Sequence, residues 1–191
     1  MEVSTIKKIQ KLLGVKQDGD WGKLSESALD LALAAVNGFN GSSSLPDDYL
    51  NKLAMIESGN RPYVKASTSS ASGLFQFIKG TWLNLGGQWG PDMSKPFGGL
   101  TPSIEEQTQR AREFTQRNAD LLADNGIPVT NASLYAAHFL GVSGAFKILK
   151  ASPSTPIASV ASSAQITANP SILGGGKTVG DFNAWLAKKT A

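Results

Sequence analysis

The run Ala54-Met55-Ile56-Glu57-Ser58-Gly59-Asn60, with Ser70-Ala71-Ser72-Gly73-Leu74-Phe75-Gln76 at short range after it, sets a carboxylate at the end of an apolar helix beside a polar, glycine-containing loop. At about 100° per residue, Tyr49, Leu50, Leu53, Ala54 and Ile56 form one apolar stripe, with Glu57 along its middle. Burial disfavours the charged form of a carboxyl group, the condition that a general acid working near neutral pH requires. A glutamate at a helix end also serves as a cap or an ion-pair partner. The downstream residues decide between these roles.

The surrounding sequence predicts a mainly α protein. Upstream, Leu45-Pro46-Asp47-Asp48 puts a proline and two acids where a helix begins. Residues 59 to 100 are rich in Gly, Ser, Pro and aromatic side chains and read as loops with one short helix from about Leu74 to Leu85. Phe75, Phe77, Trp82, Trp89 and Phe97 are placed there to wall a groove. A helix is predicted from Ser103, whose pairing with Glu106 has the form of a capping box, to Asn125-Gly126 before Pro128. Its narrow apolar face is Ala111, Phe114, Leu121 and Leu122. Another helix runs from about Asn131 to Lys150 and holds Tyr135, His138 and the small pair Gly141 and Gly144, which suggests close helix packing. After a Ser/Thr/Ala/Pro-rich stretch at 151–164, an amphipathic segment surrounds Phe182, Trp185 and Leu186.

Toward the N-terminus, two short amphipathic helices are predicted, Thr5 to Leu13 and Leu24 to Val36, around the turn from Gly14 to Gly22. Asn37 to Ser44 is a polar Gly/Ser run with the composition of a flexible linker. These features divide the chain into 1–40, a linker at 41–44, and 45–191.

Hydrophobic residues make up 41% and charged residues 17% of the 191, a globular composition able to bury a real core. Lys plus Arg exceed Asp plus Glu by 18 − 15 = 3. That excess attracts polyanions loosely, but without a basic patch interleaved with aromatics it gives no nucleic-acid partner. One histidine and no cysteine make a protein-built metal site unexpected, and no cofactor is expected either. Met1-Glu2-Val3-Ser4-Thr5 lacks the basic start and apolar core of a secretory signal, and no run of about 18 apolar residues occurs, so stable membrane insertion is not expected. Gly174-Gly175-Gly176-Lys177-Thr178 has part of a phosphate-loop pattern, yet Ser171 stands where that motif needs glycine, and a turn is the better reading.

Glu57-Ser58, then Ser67, then Ala71-Ser72-Gly73-Leu74-Phe75-Gln76, then Gly80-Thr81, resembles the catalytic core of lytic transglycosylases, relatives of goose-type lysozyme. In that family a glutamate ends a helix, and a serine lies nine residues before a glutamine, the interval kept here by Ser67 and Gln76. Ser70 replaces the family's usual glycine, and the stretch between Glu57 and Ser67 is one residue longer; both are loop changes. Leu134-Tyr135-Ala136-Ala137-His138-Phe139-Leu140-Gly141, with Ala168 to Ile172 downstream, is similar to a variant of the later family motif found in phage-associated members. Gln10-Lys11-Leu12-Leu13-Gly14 and Asp18-Gly19-Asp20-Trp21-Gly22 resemble a peptidoglycan-binding module. A helical hairpin packed on the catalytic domain is the alternative for that segment.

The resemblance implies a lysozyme-like α-helical catalytic domain at 45–191 and a small helical wall-binding module at 1–40 with Asp18, Gly19, Trp21 and Gly22 as its site. It implies Glu57 as the catalytic residue and Ser67, Gln76, Phe77, Tyr135 and His138 as substrate-binding residues. Each of these also has a plainer role: Ser67 and Gln76 satisfying loop backbone, Tyr135 and His138 packing in the core. The implied reaction cuts the bond from N-acetylmuramic acid to N-acetylglucosamine in peptidoglycan with one carboxylate, leaving a 1,6-anhydro end. Asp47, Asp48, Asp92, Glu105 and Glu106 are the candidates for a second carboxylate, and each has a helix-start or loop role available. The implied biology is a monomeric phage endolysin, made in the host cytoplasm and released to the periplasm and wall by a separate holin. A hydrolysing muramidase, a virion-associated wall-penetrating enzyme and a non-catalytic glycan-binding protein stand as alternatives.

Overall fold

The computed structural model describes residues 2–13, 15–22, 25, 29 and 44–191. Over these the chain is mainly helical, 57% helix in ten α-helices with almost no strand, as its periodicity predicts. Of the expected helix from Leu24 to Val36 only Ser25 and Leu29 are described, and of the expected linker only Ser44; the rest lie outside the described residues. The compact units are Leu45–Gln116 and, as the other, Met1–Ser44 with Arg117–Ala191.

Near the N-terminus, α1 spans Val3–Leu12. Ile6 and Gln10, one turn apart, are its buried residues, whereas Leu12 is 86% exposed and lies off the face that Ile6 and Ile9 suggest.

In Leu45–Gln116, α2 spans Tyr49–Ser58 and buries Tyr49, Leu53, Ala54 and Ser58. The chain turns into it through Tyr49 N–H on Pro46 O at 3.1 Å. The helix expected from Leu74 starts later, at Lys79, as α3 (Lys79–Asn84). Gln76 has φ 48, a left-handed conformation that no α-helix accommodates. Residues Ser72 and Phe77 pair instead as an isolated antiparallel bridge, and Lys79 N–H bonds Ser70 Oγ at 3.0 Å. Trp82 is fully buried, 4.8 Å between ring centroids from Phe97 and 6.3 Å from Phe77, with the Arg110 guanidinium 5.2 Å over its face. Its indole N–H donates to Gln88 O at 2.9 Å.

The long helix α4 spans Ile104–Asp124. Ser103 Oγ accepts from Glu106 N–H at 3.1 Å, the expected half of the capping box. The Glu106 carboxylate turns to Arg110, at 2.7 and 3.0 Å, so the reciprocal half is replaced by an i,i+4 ion pair.

In Arg117–Ala191 the single helix expected over 131–150 is two, α5 (Asn131–Leu140) and α6 (Val142–Leu149). Gly141 sits between them at φ 76, ψ 152, a conformation that side chains oppose. The break frees the Leu140 carbonyl, and Gln165 fills it: Nε2 donates to Leu140 O at 2.9 Å while Oε1 accepts from Ser162 N–H at 2.9 Å. Gly144 is needed for the same reach, because a Cβ there would stand 2.4 Å from Gln165 Nε2. The close packing expected at Gly141 and Gly144 is therefore present at Gly144, whereas Gly141 ends a helix.

Three short helices come next, α7 (Ile157–Val160), α8 (Ser163–Ala168) and α9 (Pro170–Leu173), and then α10 (Val179–Thr190). The Gly175-Gly176 pair, at φ 69 and 75, makes the expected turn, and Thr178 caps α10 reciprocally with Asp181. Val179, Phe182 and Leu186 bury one face of α10, which packs on α5. Gln165→Leu is expected to destabilise the protein by about 1–3 kcal/mol, since it leaves the buried Leu140 carbonyl and the Ser162 N–H unmatched. Urea unfolding at fixed temperature measures it, and a change below about 0.5 kcal/mol rejects this account of the helix break.

Candidate active site

Glu57 occupies the last turn of α2, half-buried, one turn beyond fully buried Leu53 and two beyond Tyr49. The helix stops directly after it because Gly59 and Asn60 are both left-handed, φ 60 and 59. Their N–H groups bond back to Met55 O at 3.0 Å and Ala54 O at 3.2 Å, which closes the helix end. Ser58, buried beside Glu57, donates to Ala54 O at 3.0 Å and accepts from Arg61 N–H at 3.1 Å. Arg61 Nε donates to Ser58 O at 2.7 Å, so the chain leaving the carboxylate is held on both sides of the turn. Tyr49 is 2% exposed; burial, and after it the negative charge of Glu57, pushes its hydroxyl well above the ordinary value. Glu57 thus lies half-buried on the Tyr49 and Leu53 side of α2, as its periodicity predicts.

The loop from Arg61 to Ile78 folds on itself. Gly73 N–H bonds Val64 O and Ala66 N–H bonds Ala71 O, both at 2.9 Å. Gln76 Nε2 donates to Gly73 O at 2.9 Å and Val64 O at 3.3 Å, so this carboxamide serves loop backbone. Ser67 is exposed at the loop's tip. Phe77 is 4% exposed, its ring edge-on to Phe114 at 5.5 Å and 6.3 Å from Phe75. That burial makes Phe77 a core residue, a correction to its expected place on a sugar-binding surface.

Tyr135 and His138 lie on α5, in the other unit. Tyr135 is 4% exposed within an aromatic cluster, its ring 6.3 Å from His138 and Phe139 and 5.8 Å from Trp185. Phe182 and Trp185 extend that cluster at 5.5 Å.

Four of the five candidates for a second carboxylate have local partners. Asp48 pairs with Lys52 at 3.1 Å. Asp92 accepts from Ser94 Oγ and N–H and pairs with Lys95; the Ser94 bonds, first of these, hold its carboxyl below the usual range. Glu105 is held down by its own backbone N–H and by Ser103, and Glu106 is engaged with Arg110. Asp47 is exposed. Among the described residues no group of three or more His, Cys, Asp or Glu comes together in the manner of a metal site.

At the N-terminus the turn Asp18-Gly19-Asp20 is clamped by Gln10, whose Nε2 donates to Asp18 Oδ1 at 2.8 Å, Asp20 O at 2.9 Å and Ser25 Oγ at 3.0 Å, and whose Oε1 accepts from Gly19 N–H at 2.9 Å. Gly19, at φ 80, leaves no room for a Cβ, which would meet Val3 at 2.6 Å. The Gln10 bond is the main reason the Asp18 carboxyl lies below its usual range. Trp21 and Gly22 come next, both half-buried. Gln10 and Gln107, each 1% exposed, are the organising side chains that sequence reasoning missed. Their signal was a polar residue at an apolar-face position, Gln10 four after Ile6 and Gln107 four before Ala111. A comparison with protein-family models finds no match to this chain.

Proposed function

We propose that this chain is a peptidoglycan lytic transglycosylase acting as a phage endolysin. The observation that carries the reading is Glu57: a half-buried carboxylate in the last turn of an apolar helix, felt by the buried Tyr49 and leading at once into a tightly bonded loop. The locally engaged Asp48, Asp92, Glu105 and Glu106 support a mechanism with one working carboxylate.

In that mechanism Glu57 protonates the oxygen leaving C1 of N-acetylmuramic acid, and the muramic 2-acetamido oxygen assists departure from its own ring. Glu57, now a carboxylate, takes the proton from the C6 hydroxyl, whose oxygen closes on C1. The products are a free 4-hydroxyl on N-acetylglucosamine and a 1,6-anhydro-muramic end; no water is consumed. One group serves as acid and then as base. Ser67 and Gln76 are assigned to the glycan, Asp18, Gly19, Trp21 and Gly22 to wall attachment by 1–40, and 45–191 to catalysis. Among the described residues no helix is long and apolar enough to cross a membrane. The proposed monomer works in the periplasm or wall after release by a separate holin.

Mass spectrometry of purified peptidoglycan digested by the protein is expected to give anhydro-muramic ends, about 18 Da lighter than the reducing ends of hydrolysis, a difference of one water fixed by the stoichiometry above. Reducing ends alone would replace transglycosylase by muramidase, and intact strands would leave a binding protein.

A further inference from the structure

Gln107 brings a carboxamide into a position the helix repeat assigns to the core, and it is 1% exposed there. Its three hydrogen bonds join three separate stretches of irregular backbone. Oε1 accepts from Leu74 N–H at 2.9 Å, and Nε2 donates to Pro62 O and Pro102 O, each at 3.1 Å. Both amide hydrogens are used, so the side chain is fixed in orientation as well as place. Pro62 lies on the chain leaving Glu57, and Leu74 lies on the chain that carries Gln76. Between these, Gly73 N–H on Val64 O and Gln76 Nε2 on Val64 O continue the same pairing. The fit is tight: a Cβ on Gly73 would stand 2.4 Å from Gln107 Oε1.

Resting on the proposed role of Glu57, we infer that Gln107 is a positioning residue for glycan cleavage. It sets the separation between the chain leaving the acid and the chain that carries Gln76, so that a bound sugar meets Glu57 in one geometry. A helix supplies this anchor better than the loop itself, because α4 fixes where the carboxamide stands. Misplacement by about 1 Å costs on the order of 100-fold in rate when reacting groups must be aligned.

The test compares Gln107→Met, similar in length and without hydrogen-bonding groups, with the unaltered chain. On soluble glycan fragments kcat is expected to fall about 10–100-fold with KM near its original value. In native-state hydrogen exchange, the Leu74 amide is expected to exchange at least about 10-fold faster while amides of α5 and α10 keep their protection. Gln107→Asn, shorter by one methylene, gives the same pattern at smaller size and serves if the Met variant does not fold. Unaltered kcat, unchanged Leu74 protection, or a uniform rise in exchange along the whole chain overturns the inference. If Glu57→Gln retains full activity, the proposed reaction fails and takes this role with it. If Glu57→Gln is inactive while Gln107→Met turns over normally, Gln107 alone is wrongly assigned.

Discussion

Glu57→Gln is expected to lower peptidoglycan cleavage by about 10²–10⁴-fold or more, because the one group that both delivers and recovers the proton is removed. The amide has the shape of the acid and neither donates a proton to a leaving oxygen nor takes one from the C6 hydroxyl. The bonds of Gly59, Asn60, Ser58 and Arg61 that close the helix end do not use the carboxylate, so the fold is expected to survive. Stability should change by less than about 1 kcal/mol, as for other isosteric changes at half-buried positions. Turbidity loss of outer-membrane-permeabilised cells and digestion of purified wall measure the activity; far-UV dichroism and urea unfolding measure the fold. Cleavage within about threefold of the original rate would remove Glu57 from the acid role, since no general acid is worth so little.

Much of this arrangement was legible in the chain. The period of Tyr49, Leu53 and Glu57 placed the acid on the buried side of its helix, and Gly59 marked the end of that helix. Ser103 and Asn125-Gly126 bracketed α4 to within a residue at each end. These features are local, decided by groups within one or two turns, and the sequence carries such information directly.

The errors share a different physical origin. Leu74 to Leu85 reads as one short helix, but Leu74 N–H belongs to Gln107, thirty-three residues away, and Gln76 is left-handed with its carboxamide on Val64 O and Gly73 O. Tertiary hydrogen bonds outweighed local propensity there. The break at Gly141 is of the same kind, made tolerable by Gln165, twenty-five residues from Leu140. Phe77 illustrates the reverse problem: an aromatic near a site motif suits a groove or a core equally well by composition, and only its packing on Phe114 and Phe75 decides. Buried glutamines are difficult to foresee because their partners are backbone groups, which no residue type announces. A polar group in an apolar stripe must be matched, and that requirement, which singles out Glu57, also singles out Gln10 and Gln107 when every helix is held to it.

Such matching makes Gly73 a position where one methyl group should damage the fold heavily. Its φ of 79 is left-handed, which costs an alanine about 1–2 kcal/mol. The new Cβ would also stand 2.4 Å from both Gln107 Oε1 and Phe97 Cζ, and 2.8 Å from Phe97 Cε2. Neither neighbour has room to yield: Gln107 is held by three hydrogen bonds, and Phe97, 1% exposed and itself at φ 51, is packed 4.8 Å from Trp82. Overpacking of this kind adds about 1–3 kcal/mol, for a total of about 2–5 kcal/mol. Gly59 supplies the control, because it is also left-handed, at φ 60, and a Cβ there meets nothing within 4 Å. Gly59→Ala should therefore cost only the conformational share, about 1–2 kcal/mol. Urea unfolding of the two variants under one set of conditions isolates the crowding at Gly73 by subtraction. Equal losses would show that the loop beside Glu57 has slack, and that the Gln107 and Phe97 contacts do not hold it in place.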